Sequence, residues 1–151
     1  MPVGTEDATM NDLWISPDGT KLYMTGTTND RVYYYTFGTA WSLGTLTYVN
    51  SFLVSSEELD PTALYVKPDG TKFWIVGTIN DTIYEYTMGT PWDITTSVYS
   101  GNSLLVSSVD ATVNGIRFHP DGTKFYLLGT TADILTEYSC TAWTIVGAVA
   151  T

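Results

Sequence analysis

The sequence contains very few of the residues that most often build metal and redox sites. Its 151 residues include one cysteine, Cys140, and one histidine, His119. A single cysteine closes no disulfide within a chain, and one thiol with one histidine does not make the ligand set of a structural zinc site. Serine and threonine are plentiful, but no base is placed beside them, so no nucleophile is identified. These absences argue against an enzyme.

Basic residues are also scarce. Six lysines and arginines face sixteen acidic residues, which leaves a formal charge of −10. Such a surface repels phosphate, so neither nucleic acid nor an anionic membrane is an expected partner. No apolar run approaches the ~20 residues needed to span a bilayer, and the start, "MPVGTEDATM", lacks the basic and apolar regions of a signal peptide. We expect a soluble chain, with a virion-associated or extracellular location left open.

What the sequence has in abundance is repetition. An eleven-residue segment occurs three times, as "SPDGTKLYMTG" at 16–26, "KPDGTKFWIVG" at 67–77 and "HPDGTKFYLLG" at 119–129. Its prolines are spaced by 51 and then 52 residues. A period of this length is typical of an array of identical structural units.

Each unit reads as four short strands. The "PDG" turn joins a first strand to a second one, such as "KFWIVG", that is apolar at nearly every position. A strand of that kind must be covered on both faces. A "TTND"-type turn leads to a third strand, and a longer connection through a tryptophan leads to a fourth. Repeated four-stranded antiparallel sheets with two apolar faces predict an all-β fold, the β-propeller.

The stretch "SPDGTKLYMTGTTNDRVYYY" also resembles the repeat of the YVTN, WD40-like and TolB-like propellers. The resemblance covers roughly the first half of each unit and implies a fold rather than an activity. The second half, with "YTFGTAW" and "YTMGTPW", is similar to multi-repeat proteins of phages and bacterial surfaces. Propeller lactonases share the fold-level likeness, but their unlike blades contrast with the near-identical units found here.

We predict a single domain, 1–151, in which three blades occupy about 10–54, 61–106 and 113–151. Closed propellers use four to eight blades, so three would leave two bare apolar faces. We therefore expect a homodimer that closes six blades head to tail, with segment 1–5 completing a blade across chains. A piece of a longer array, or three chains with nine blades, is the alternative.

Two sets of residues are candidates for ligand binding. The first is a set of carboxylates in loops expected on one face, which could coordinate Ca²⁺, bind sugar hydroxyls or attract a cationic partner. They are Asp7, Asp30, Glu58, Asp81, Asp110 and Asp133. The alternative is that these residues only cap turns and blade edges. No metal-ligand set is assigned and no cofactor is expected.

The second set consists of repeated aromatic residues that could contact sugars. Trp14 and Tyr65 share a position on the first strand, and Trp41, Trp92 and Trp143 share one on the connection to the fourth strand. Packing between blades is the alternative role, because aromatic side chains bury a large area.

These observations together suggest a non-enzymatic, ring-shaped binding or structural module, belonging to a phage particle or a bacterial surface. Its expected partners are a second copy of itself and a glycan or protein ligand. A lectin-like, multivalent glycan-binding propeller is the alternative, and a hydrolase-type propeller enzyme is a more distant one.

Overall fold

The computed structural model describes residues 3–151 as three four-stranded antiparallel sheets. Met1 and Pro2, which belong to the predicted closing segment 1–5, lie outside the described residues. In every sheet the spatial order of the strands follows the chain. The predicted all-β propeller of four-stranded blades is therefore confirmed.

The twelve strands fall into three consecutive sets of four, which we call blades 1, 2 and 3. They are β1 (Met10–Ile15), β2 (Lys21–Gly26), β3 (Arg31–Phe37), β4 (Leu46–Leu53), β5 (Pro61–Val66), β6 (Lys72–Gly77), β7 (Thr82–Met88), β8 (Ser97–Leu105), β9 (Val113–Phe118), β10 (Lys124–Gly129), β11 (Leu135–Thr141) and β12 (Thr144–Ala150). Two 3-10 turns, Leu43–Thr45 and Ile94–Thr96, precede β4 and β8. Within residues 3–151, no helix has the length and apolarity to cross a bilayer.

The first strands of the blades lie side by side. β5 contacts both β1 and β9, so these three strands form the inner edge of the arrangement. The fourth strands are at the opposite edge of each sheet and form the outer rim. This arrangement brings residues about fifty positions apart in the chain to neighbouring places around one axis.

Two apolar cores hold the blades together. One lies between blades 1 and 2, where Phe73 and Ile75 of β6 are buried. The other lies between blades 2 and 3 and contains Trp74 and Val76 of the same strand. Successive side chains of a strand point to opposite faces, and blade 2 has a neighbouring blade on each face. This explains why β6 has no polar alternation.

Each "PDG" hairpin is fixed by its aspartate and threonine. The carboxylates of Asp18, Asp69 and Asp121 accept the N–H and the hydroxyl of the threonine two residues later, at 2.6–3.0 Å. Hydrogen bonds from Ser16 and Thr20 lower the pKa of Asp18 to about 2. The aspartate is therefore ionised across the physiological range and holds the turn.

A tryptophan docks onto the glycine of the same hairpin. Gly70 has φ +72°, and its carbonyl accepts the N–H of Trp92 at 2.9 Å. The indole ring lies so close that a methyl group on Gly70 would overlap it. The same arrangement occurs at Gly19 with Trp41 and in blade 3. The repeated tryptophans thus have a structural role within their own blades.

Blade 3 is less complete than the other two. β12, from the same chain, is its fourth strand, but it pairs with β11 only between Tyr138 and Thr141. In blade 1 the pairing of β3 with β4 runs from Arg31 to Phe37. Residues 3–5 lie outside any strand. That segment 1–5 completes a blade across chains stays a prediction.

We expect the substitution Gly70→Ala to lower the free energy of unfolding by about 3 kcal/mol, because it combines left-handed backbone strain with overpacking against Trp92. Gly101→Ala is a matched control. Gly101 also has a positive φ, +84°, but no atom lies within 4 Å of the added methyl group. It should cost only about 1 kcal/mol. Urea unfolding followed by circular dichroism measures both, and equal losses would refute a role for the tryptophan contact.

Candidate functional site

A small polar cavity lies at the inner edge of the three blades. It has a volume of about 230 Å³ and is lined by Asn11, Thr62 and Asn114. These residues occupy the same position of the repeat on β1, β5 and β9. One side chain from each blade therefore converges on the axis of the propeller.

An ion pair joins blade 1 to blade 3 at the same inner edge. The two terminal nitrogens of Arg117 lie 3.3 Å from the two carboxylate oxygens of Asp12. The guanidinium also donates to the carbonyl oxygen of Leu64, at 3.2 Å, as it crosses blade 2. A planar guanidinium facing both oxygens of a carboxylate is a geometrically specific pairing. Among the described residues it is the only salt bridge between blades.

The side chain of Asp12 is more buried than that of Arg117. The side chain of Asp12 is 15% exposed, whereas that of Arg117 is 52% exposed. Asp12 Oδ2 accepts the N–H of Leu64 at 3.0 Å, which ties the carboxylate to β5. The guanidinium keeps a solvent-facing side. A carboxylate can accept a proton from water, and an adjacent guanidinium can stabilise a developing oxyanion.

This pair is not among the residues predicted from the sequence, although the repeat contains a signal for it. The equivalents of Asp12 are Ala63 and Gly115, and Arg117 stands where the other blades have aromatic residues. Both residues therefore depart from the repeat. Since the other blades fold with uncharged residues at these two positions of the inner strand, folding of a blade does not require a charge there.

The predicted carboxylates Asp7, Glu58 and Asp110 are buried between two loops of their blades. Their oxygens accept backbone N–H groups of the turn between the second and third strands. The bonds are 3.0 Å from Asn29, 3.4 Å from Asn80 and 2.9 Å from Ala132. Each carboxylate thus clamps that turn to the segment entering the first strand.

The three clamps differ in electrostatics. Backbone hydrogen bonds from Ala132 and Thr112 lower the pKa of Asp110. Burial alone would raise the pKa of Asp7, but the hydrogen bonds it accepts outweigh burial and leave the pKa below its ordinary value. Burial dominates at Glu58 and raises its pKa.

The other predicted carboxylates, Asp30, Asp81 and Asp133, adopt left-handed backbone conformations with φ of 52°, 47° and 53°. Asp30 has a raised pKa, chiefly through burial and then through the carboxylates of Asp7 and Asp60. The structure thus brings some acidic residues within electrostatic reach of one another. Residues 3–151 contain no group of three or more His, Cys, Asp or Glu side chains placed to hold a metal ion. Ligand binding by the six carboxylates stays a prediction.

The predicted aromatic residues lie mostly between blades. Trp14 stacks on Trp92 with ring centroids 6.0 Å apart, and Tyr65 stacks on Trp143 at 6.1 Å. Trp41 occupies the same repeat position as Trp92 but is 60% exposed. Sugar contacts by these residues stay a prediction.

Comparison with known proteins adds support for the fold. No protein-family model matches the chain, and no curated protein matches it either. Solved structures do match, and the chain spans less than two-fifths of the length of the three given below.

A candidate 6-phosphogluconolactonase from Bacteroides fragilis has a TM-score of 0.66 at 10% identity, over 93% of this chain and 39% of that one. The Swd1 β-propeller domain of Myceliophteria thermophila has a TM-score of 0.62 at 13% identity, over 87% and 38%. The periplasmic gluconolactonase of Pseudomonas aeruginosa has a TM-score of 0.61 at 15% identity, over 86% and 35%.

These similarities correct the function expected from the sequence. The chain was expected to be a non-enzymatic module of a phage particle or bacterial surface, with a lectin-like glycan binder as the alternative. That expectation is wrong, because gluconolactonases are among the proteins with similar structures. The scarcity of histidine misled it, since histidine is only one of several side chains that catalyse hydrolysis. At these identities the similarity itself shows the fold alone.

The substitution Asp110→Asn should lower Tm by several degrees at pH 7, because the ionised carboxylate holds its turn. A carboxyl group whose pKa is lowered by folding stabilises the protein above its unfolded-state pKa, and this contribution is lost as pH falls through the folded-state value. The difference from the unsubstituted protein should therefore shrink below about pH 3.8, the ordinary value. Thermal melts at a series of pH values measure it.

Asp133→Asn is the control for that experiment. It removes one negative charge from the turn that Asp110 clamps, and asparagine tolerates the left-handed conformation there. Its Tm should stay near that of the unsubstituted protein at every pH. A pH-independent loss in Asp110→Asn would contradict the role of the ionised carboxylate.

Proposed function

We propose that this chain is a module of a hydrolase-type propeller that opens a cyclic ester, with Asp12 and Arg117 as the reacting groups. The observation that carries the proposal is the ion pair at the inner edge, the same edge of the blades that holds the polar cavity lined by Asn11 and its equivalents. Ligand sites favour concave surfaces with a few convergent polar groups.

The reaction would proceed by addition of water to the ester carbonyl. Asp12 accepts a proton from the water molecule while the oxygen of that water bonds to the carbonyl carbon. Arg117 stabilises the negative charge that develops on the carbonyl oxygen. The ring C–O bond then breaks, and the leaving alkoxide takes the proton back from Asp12. The product is an open-chain hydroxy acid, and Asp12 is again ionised.

One similarity supports this choice of reaction. Among the proteins with similar structures is a gluconolactonase, whose name denotes opening of a lactone. The repeated "PDGTK" hairpin supports membership in the group of YVTN, WD40-like and TolB-like repeats, which implies the fold rather than the reaction. Because the chain spans only part of the similar proteins, the activity of the whole protein is included in the proposal.

The test measures hydrolysis of glucono-δ-lactone by titrating the acid that it releases, relative to buffer alone. Asp12→Asn and Arg117→Met should each reduce the catalysed rate by roughly 100-fold or more, the usual range for one acid–base or oxyanion-stabilising group. Asparagine keeps an oxygen for the N–H of Leu64, and methionine keeps the apolar stem of Arg117. Both variants should therefore fold.

Asp69→Asn is the matched control. Asp69 pairs with Lys67 at 2.7 Å, so this variant also loses one carboxylate from an ion pair, but in a hairpin turn of a single blade. Its rate should equal that of the unsubstituted protein. A rate no higher than in buffer, or equal rates in all variants, would refute the proposal.

A further inference from the structure

We propose that two copies of this chain close one ring, head to tail. The face of blade 3 that no blade of its own chain covers would dock on the uncovered face of blade 1 of the second copy. The blade-1 free face consists of Leu13, Trp41 and Leu43. The blade-3 free face consists of Tyr126, Leu128 and Leu135, with Arg117 at its inner border. The residues of each free face have equivalents in other blades that a neighbouring blade of the chain covers. We therefore infer that the partner is another blade of the same kind, supplied by a second copy. The inference does not depend on the proposed hydrolysis.

The blade-1 free face exposes residues whose equivalents are buried between blades. Leu43 is 60% exposed, whereas Ile94 and Ile145 at the same position are fully buried. Leu13 is 49% exposed although its two equivalents are also buried. Trp41 likewise lacks the stacking partner that each of its equivalents has on the preceding blade. In blades 2 and 3, the preceding blade covers the equivalents of these three residues.

The blade-3 free face shows the complementary pattern. Leu135 is 70% exposed, whereas Val32 and Ile83 at the same position are fully buried against the next blade. Leu128 is 50% exposed, and its equivalent Val76 is fully buried. The position of Leu135 is apolar in all three blades, whereas the blade-1 equivalent of Leu128 is Thr25. Large adjoining apolar surfaces of this kind mark sites of association.

A repeated polar contact would also extend across the proposed junction. Asn11 donates to the carbonyl oxygen of Pro61, the first residue of the next inner strand, at 3.1 Å. Thr62 donates in the same way to Val113, at 2.5 Å. Asn114 is the third member of this series. In a head-to-tail pair it faces the carbonyl oxygen of the first residue of β1 in the second copy.

A tyrosine on the second strand of blade 1 makes a further contact with the next blade, whereas its blade-2 equivalent, Trp74, donates to Glu85 of its own blade. The hydroxyl of Tyr23 donates to the carbonyl oxygen of Trp92 in the next blade, at 2.7 Å. Tyr126 occupies the same position in blade 3, and Trp41 is the equivalent tryptophan of blade 1. The second copy therefore offers Tyr126 the acceptor that Tyr23 has within the chain.

The loops that lead from one blade to the next also make a hydrogen bond that repeats at each junction. The N–H of Val54 donates to the carbonyl oxygen of Asp30 at 2.9 Å, and the equivalent bond from Val106 is 2.8 Å. Val3 of the second copy and Asp133 occupy these positions at the junction. Four exposed leucines would thus be covered, and three hydrogen bonds to backbone carbonyl oxygens would be made, by one partner, this chain itself.

The molar mass in solution tests the inference. Light scattering after size exclusion in 150 mM salt, which screens the −10 charge of each copy, should give twice 16.6 kDa. Leu135→Glu and Leu43→Glu alter opposite free faces, and each should give a folded species of 16.6 kDa, with the circular dichroism of the unsubstituted chain.

Val98→Glu is the matched control. Val98 is as exposed as Leu43, but it lies on β8 at the outer rim of blade 2, where both faces of the sheet are already covered. This variant should keep the mass of the pair. A folded species of 16.6 kDa or three times that mass for the unsubstituted chain would overturn the inference. Dissociation by only one of the two leucine variants would also overturn it, because a head-to-tail contact uses both faces.

Discussion

The structure depends on one constraint: the sheet of every blade is apolar on both faces, and both must be covered. Blade 2 meets the constraint within the chain, because Phe73 and Ile75 pack toward blade 1 while Trp74 and Val76 pack toward blade 3. Since apolar burial is the dominant favourable contribution to folding, the blades stabilise one another rather than themselves. A single blade of this kind is therefore a structural unit that depends on its neighbouring blades for its stability.

The same constraint leaves the inner edge available for chemistry. Packing and the hairpin turns determine most of the repeated positions, so a residue that departs from the repeat is under a different requirement. Asp12 and Arg117 are such residues, and the arrangement of β1, β5 and β9 brings them together although they are 105 positions apart. The scaffold is nearly symmetric, and the proposed chemistry resides in its asymmetry.

The sequence predicted the fold far better than the site. Hairpin turns are local, so "PDG" and its spacing were sufficient to predict the strands, and the lack of alternation in "KFWIVG" predicted two covered faces. The Asp12–Arg117 pair was not predictable in this way, because it depends on the angle between blades that are not adjacent. The carboxylates of Asp7, Glu58 and Asp110 were predicted only as members of a larger set of six acidic residues. That their partners are backbone N–H groups of a turn about twenty residues away depends on tertiary structure.

The repeated contacts between blades also bear on how such a chain can change over generations. Blades 1 and 2 each place a side-chain donor at the same position of the repeat, the amide of Asn11 or the hydroxyl of Thr62, against the equivalent backbone carbonyl of the next blade. Unequal crossing-over between equivalent codons would therefore insert or delete a whole blade without creating an unfamiliar junction. Gene length could then drift in steps of about fifty codons while every surviving junction kept its chemistry. In such a lineage the number of chains around the axis can change more easily than the fold.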